Sequence, residues 1–153
     1  MATERFDTLH HGVWTGTMYS EIYDPDNNPN HVLEFKTPWK VEVNWNLKSD
    51  HPDLDITDGF WEVTCFVESI GTKTGGYEGE IGSAKLQFHK DALPTSTPWN
   101  YLWKVMVDVP VGKINLPGIY LMTTLIQFKS LNDTPKPMAG FSDHPLITFY
   151  EAH

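Results

Sequence analysis

Residues 38–47 read Pro-Trp-Lys-Val-Glu-Val-Asn-Trp-Asn-Leu, and this stretch decides the fold class. From Trp39 to Leu47, apolar side chains alternate with Lys, Glu and Asn. A period of two puts every second side chain on the same side of the chain, which is typical of a β-strand with one buried face. We therefore expect a strand here, with its Trp and Val side chains against a hydrophobic core.

The same kind of pattern recurs along the chain. Stretches that alternate, or are rich in β-branched and aromatic residues, lie between clusters of Gly, Pro, Asn and Asp at 61–68, 84–88, 103–109, 121–128 and 146–150. The stretch 121–128 is apolar on both faces apart from Thr and Gln, so we expect it in the centre of a sheet. Several short strands of this kind predict an all-β, two-sheet antiparallel sandwich. We expect one domain over 1–153, with its core sandwich in 38–150.

The segment before residue 38 predicts an addition to that sandwich. Residues 1–12 are polar and irregular, and we expect a loose arm. Residues 24–30 contain two prolines among Asp and Asn, a composition typical of a turn. With a strand on either side, 13–36 predicts an extra N-terminal strand pair in the form of a hairpin.

One segment resembles a known architecture. Leu116-Pro117-Gly118-Ile119-Tyr120 is similar to the corner that opens the sixth strand of immunoglobulin-like sandwiches, where a Tyr hydroxyl bonds to the backbone just upstream. Trp61 and Cys65, on one expected inner face, resemble the core Trp and a core Cys of antibody domains. The second Cys is missing, so the resemblance concerns architecture. It implies an immunoglobulin-like sandwich, a Tyr120 hydroxyl bonded to a carbonyl within 111–115, and no particular function.

Charge and cysteine content restrict partners and compartment. The net charge is −9, with 20 acidic against 11 basic residues, and such a surface repels nucleic acid and anionic membranes. Cys65 is the single cysteine, which excludes an internal disulfide. We see no signal-peptide pattern and no apolar run of membrane-spanning length, and we therefore expect a cytoplasmic protein.

One acidic loop is a candidate metal site. Asp50, Asp53, Asp55 and Asp58 crowd a short stretch, and clustered carboxylates are ligands that calcium prefers. Their spacing matches no calcium-binding loop, and a solvated acidic loop is the favoured interpretation. We expect no cofactor, with calcium at these four residues as the alternative.

Aromatic residues near strand ends are the candidate ligand-binding residues. Trp39 and Trp99 each follow a Pro at a loop-to-strand junction, and Tyr101 lies close to the second. Exposed aromatic rings stack on sugars and anchor protein interfaces, although the same rings also fill cores. For Trp45, Trp61 and Trp103, which lie within alternating strands, we expect the core.

The sequence contains no recognisable catalytic constellation, and Cys65 falls on an apolar strand face. A non-enzymatic binding or assembly module is therefore favoured, one that acts through self-association or a protein partner. A carbohydrate-binding module that uses Trp99, Tyr101 and Trp39 is the second hypothesis. A metal-assisted or carboxylate hydrolase is the third.

Overall fold

A computed structural model describes residues 4–8, 14–49, 58–71, 75–89, 99–143 and 145–152. The described residues form strands and no helix. The strands are β1 Glu4–Thr8, β2 Trp14–Tyr23, β3 Val32–Glu34, β4 Trp39–Ser49, β5 Gly59–Ser69, β6 Gly79–Phe88, β7 Trp99–Val109, β8 Gly118–Ser130, β9 Pro135–Ser142 and β10 Leu146–Tyr150. The expected all-β class is confirmed.

The strands form two sheets that face each other. The three-stranded sheet has β4 in the middle, paired along its whole length with β2 and with β7. The six-stranded sheet has β8 in the middle. One edge of β8 pairs with β5, and its other edge pairs first with β10 and, further along, with β9. β6 extends it beyond β5, and β3 extends it beyond β10. β1 pairs with β2 and then with β9, so it joins the two sheets along one side.

Inward-facing side chains of both sheets form one core. Trp45 from the three-stranded sheet lies edge-on to Trp61 from the six-stranded sheet, with ring centroids 5.7 Å apart. Trp61 also contacts Trp103 at 5.4 Å and Phe128 at 4.9 Å. The three Trp residues expected in the core are buried, as is Cys65. These rings join the sheets because aromatic pairs in tilted and edge-on contacts bury large areas with favourable geometry.

The predicted corner at Tyr120 forms. The Tyr120 hydroxyl donates to the Leu116 carbonyl at 2.8 Å, one residue beyond the expected range. The side chain is otherwise buried, so this bond satisfies a phenol that would cost free energy without a partner. Its acceptor lies four residues upstream, which closes the corner that leads into β8.

The predicted N-terminal hairpin is wrong, although its turn forms. Asp24 Oδ1 accepts from the amides of Asp26 and Asn28 at 2.9 Å, which fixes a tight turn. After a single antiparallel bridge between Tyr23 and Pro29, the chain crosses to the other sheet and forms no further pair with β2. β2 belongs to the three-stranded sheet, where Met18 and Ile22 are fully buried, and β3 pairs with β10. Turn chemistry identified the bend, but only long-range pairing decides which sheet each strand joins.

Three further expectations are corrected. Residues 4–8 form β1 and are not part of a loose arm. The β3–β10 pair is parallel, so the sheets are not wholly antiparallel. β9, Pro135–Ser142, was missed because its two prolines and its Gly are typical of a turn. The central position expected for 121–128 is confirmed, since β8 is paired on both edges.

Candidate functional site

The three aromatic ligand candidates do not share a site. Trp39 begins β4 and is paired with Val109, whereas Trp99 is paired with Ser49 at the other end of β4. The eleven residues of β4 span roughly 33 Å at the usual rise per residue. Tyr101 lies near the Trp99 end, where it is paired with Leu47. The backbone positions of these residues therefore lie near opposite ends of β4.

Trp39 and Tyr101 lie mainly against the core. The Trp39 ring is 3% exposed and lies edge-on to Phe149 at 5.4 Å. Its remaining surface lines a largely apolar pocket of about 290 Å³, whose other lining residues are Pro25, Pro38, Lys40, Asp108, Val109 and Pro110. Tyr101 is half-buried against Trp103, with centroids 4.8 Å apart. The Trp99 side chain lies outside the described residues.

The acidic loop is largely outside the described residues. Asp50, Asp53 and Asp55 belong to the undescribed stretch, and Asp58 is exposed at the start of β5. Within the described ranges, no group of three His, Cys, Asp or Glu residues could hold a metal ion. The calcium site and the hydrolase that would depend on it therefore stay predictions.

Cys65 is unsuited to nucleophilic chemistry. Burial raises the pKa of its thiol to about 12, and the Thr124 hydroxyl at 3.8 Å only partly opposes that shift. A nucleophilic cysteine needs an environment that lowers its pKa and exposes the sulfur. Cys65 is instead a small core residue of β5.

The outward side of the three-stranded sheet is polar, and we call it the polar face. Its outward positions are Thr17, Tyr19, Glu21, Tyr23, Lys40, Glu42, Asn44, Asn46, Lys48, Asn100, Leu102, Lys104, Met106 and Asp108. Asn46 links the three strands, since it accepts from the Thr17 hydroxyl at 2.5 Å and donates to Asn100 at 2.8 Å. Burial and the neighbouring carboxylate of Glu42 raise the pKa of the Tyr23 hydroxyl. Many of these polar groups are thus already bonded to one another.

The outward side of the six-stranded sheet is different. Eight apolar side chains lie on this outward side, and we call them the apolar face. They come from β3, β5, β8, β9 and β10 and from the residue that follows β5. They are Val32, Phe66, Ile70, Ile119, Leu121, Leu125, Phe141 and Leu146. The register places Leu125 opposite Phe141 and Leu121 opposite Leu146. Phe141 is 57% exposed and Leu146 is 53% exposed. Exposed apolar patches on a protein surface are often functional.

Charged residues lie at one end of the apolar face and also within it. At one end, Glu62 accepts from Lys129 at 2.9 Å and lies 3.7 Å from Lys85. The hydrogen bond to Glu62 raises the pKa of Lys129. Lys129 also lies 3.4 Å from Asp133, so the Glu62 end carries ion-paired charges of both signs. Further along β5, the exposed carboxylate of Glu68 lies opposite Leu121, between Phe66 and Ile70, and Glu80 lies opposite Phe66 on β6.

Sequence reasoning missed the apolar face, although a signal was present. Residues 121–128 are apolar on both faces, a pattern that usually indicates a strand covered on both sides. The outward half of that pattern, Leu121 and Leu125, is instead part of the surface. β9 contributes Phe141 to it, and β9 was the strand hidden by its prolines.

Comparison with known proteins gives a likeness at the level of structure. No protein-family model matches the chain, and neither does any curated protein. Among solved structures, the chain is similar to the crystal structure of the C-terminal domain of Wzt, with a TM-score of 0.49 and 8% identity over 88% of this chain and 72% of that one. The part of the chain that the structure describes holds no helix with the length and hydropathy needed to cross a bilayer.

Proposed function

We propose that this chain is a non-enzymatic binding or assembly module that acts through self-association or a protein partner, with the apolar face as its contact surface. The observation that carries the proposal is the exposure of the two cross-strand pairs, Leu125 with Phe141 and Leu121 with Leu146, on one sheet. Natural sheets usually place polar side chains at outward positions that face water. Apolar pairs at those positions are favourable when a partner covers them.

The size of the face indicates how strong such a contact is. The apolar face extends from Ile119 to Leu125 along β8 and across four strands. Ordinary strand dimensions therefore give it an area of roughly 300–400 Å². Covering that area contributes about 8–10 kcal/mol before costs. Association costs about 4–15 kcal/mol in lost freedom. The strands are hydrogen-bonded on both edges of β8, which limits the ordering cost, so the face favours weak, reversible binding.

The scaffold we propose is an immunoglobulin-like sandwich. Two observations support it: the Tyr120 hydroxyl bond to Leu116 at the corner before β8, and the burial of Trp61 between the sheets. Both belong to the resemblance on which the assignment was based. This scaffold leaves the outward sheet faces free for recognition.

Chemical crosslinking of the tagged chain inside its own cells, followed by denaturing electrophoresis, tests the binding proposal, because a crosslink captures weak complexes before dilution. We expect the tagged chain to migrate above its monomer mass of 17.5 kDa. Phe141→Asp should return it to the monomer position, because a buried carboxylate without a partner opposes contact. Leu102→Asp is the matched control, since Leu102 is 70% exposed on the polar face. Monomeric migration of all three chains would exclude the proposal.

A carbohydrate-binding module is the second candidate, and the pocket beside Trp39 is the observation that favours it. The pocket is largely apolar, and the polar side chains of Lys40 and Asp108 occupy opposite positions of β4 and β7 in its lining. Sugar rings combine an apolar face with hydroxyls and so suit such a lining. A titration with soluble oligosaccharides should change Trp fluorescence, and Lys40→Ala with Asp108→Ala should weaken the change. A flat titration across plant, bacterial and host glycans would remove this candidate.

A further inference from the structure

We infer that the partner of the apolar face is a segment of another protein in which apolar side chains flank an Arg or Lys that pairs with Glu68. The inference rests on the proposed function and names the chemistry of the partner. Glu68 is exposed on β5 between Phe66 and Ile70 and lies opposite Leu121, so apolar positions adjoin it on its own strand and on the next one. A partner that covers these apolar side chains therefore also covers the Glu68 carboxylate.

Covering that carboxylate determines what the partner has to carry. A charge that loses its water is strongly unfavourable when unpaired and is tolerated when a cation pairs with it in good geometry. Among the described residues, none forms an ion pair with Glu68. We therefore assign the cation to the partner. Arg suits the position best, since a guanidinium is less strongly hydrated than an ammonium and can bind a carboxylate through two hydrogen bonds.

Glu62, on the same strand, provides an internal comparison. Its carboxylate accepts from Lys129 at 2.9 Å and lies 3.7 Å from Lys85, so the chain itself supplies its counter-ions. Glu80, which is exposed opposite Phe66 on β6, instead adds a second negative charge on the Glu68 side. Two carboxylates beside exposed apolar side chains attract a basic segment and disfavour an acidic one.

The area of the apolar face sets the strength that we expect. A contact of roughly 300–400 Å² on each partner lies below the size of standard protein interfaces. Binding should therefore be micromolar or weaker. It should also weaken as salt is added, because salt screens the attraction between the basic segment and the exposed carboxylates.

Selection from a random-peptide display library on the purified full chain is the first test. We expect the enriched peptides to share an Arg or Lys among apolar residues and to lose binding to Phe141→Asp. Leu146→Asp serves in its place if Phe141→Asp fails to fold, which circular dichroism reports. The same selection on Glu68→Arg should enrich Asp or Glu in place of the basic residue. An unchanged consensus on Glu68→Arg, or the absence of any peptide that depends on the apolar face, would overturn the inference.

A charge exchange between peptide and chain measures the pair itself. By fluorescence anisotropy, the most enriched peptide should bind Glu68→Gln several-fold more weakly than the unaltered chain, and Glu68→Arg about tenfold more weakly or worse. The same peptide with its basic residue changed to Glu should recover much of that loss on Glu68→Arg. Asp108→Arg is the matched control, since it makes the same charge change at an exposed position of the polar face, and it should leave binding unchanged. Equal weakening by Asp108→Arg would mean that the peptide responds to the overall charge of the chain, and the inference would fall.

The inference and the proposed function fail in different ways. Peptides that need Phe141 but share no basic residue would overturn the cationic partner and leave the binding function standing. An oligomer of the purified chain that Phe141→Asp dissociates would do the same, because the occupant would then be a second copy. A selection without peptides that depend on Phe141, together with monomeric migration after crosslinking in cells, would exclude both.

Discussion

The two outward faces of this sandwich are built from strands of similar length, yet they differ in what they offer to water. On the polar face, Asn46 bonds to Thr17 and to Asn100, and Asn44 donates to Glu42. On the apolar face, Leu125 and Phe141 stand side by side with their surfaces exposed. The difference teaches that a satisfied polar face needs nothing further, whereas an exposed apolar face gains free energy when it is covered.

The largest expected effect tests whether both faces depend on one core. Trp61 contacts Trp45 and Trp103 of the three-stranded sheet as well as Phe128 of its own sheet. Trp61→Ala should lower the free energy of unfolding by about 3–5 kcal/mol, the usual cost of removing a large buried aromatic. Urea denaturation followed by Trp fluorescence and by circular dichroism measures it. Leu102→Ala is the exposed control, and a comparable loss there would mean that the faces are not surfaces of one shared core.

A smaller effect is expected beneath the apolar face. Tyr120 lies on the inner side of β8, between the outward Ile119 and Leu121, and its hydroxyl bonds to Leu116. Tyr120→Phe removes that bond and keeps the ring, so it should destabilise the protein by about 1 kcal/mol. Thermal and urea denaturation would report the change. An unaltered stability would show that the corner bond contributes nothing to the sheet that carries the apolar face.

The smallest expected effect concerns the polar face. Asn46→Ala removes the side chain that joins Thr17 to Asn100 and leaves their hydrogen-bonding groups to water, which should cost about 1 kcal/mol or less. Lys48→Ala, on the same strand but exposed, should change stability by less than about 0.5 kcal/mol. Denaturant midpoints of the two variants compare the effects. Equal midpoints would mean that the polar network is no more than a solvated surface.

Sequence patterning worked where a strand's own alternation was enough. The period of two in β4 predicted both the strand and its inner side, because inward and outward positions alternate whatever the strand pairs with. It failed for the N-terminal segment. The turn at Asp24 formed as its prolines and Asx residues predicted, but β2 and β3 joined different sheets. Local composition specifies a bend, whereas pairing is chosen among strands distant in sequence.

The candidate ligand residues show the same difference between local patterning, which the sequence carries, and long-range pairing, which it does not. Trp39 and Tyr101 were selected because they follow or approach loops, a local property. The structure places Trp39 at one end of β4 and Tyr101 near the other. Position at a loop junction carries no information about which strand ends meet, so the sequence could nominate aromatic residues without grouping them.

The sequence by itself determined the all-β class, the burial of Trp45, Trp61, Trp103 and Cys65, and the Tyr120 corner, because each follows from local periodicity or local chain geometry. Only the tertiary structure decided that Phe141 and Leu146 flank β8 and complete an exposed apolar surface. The physical reason is that burial of an outward position depends on what lies over the sheet. That is a property of the folded surface and its partners, and no residue's neighbours in sequence specify it.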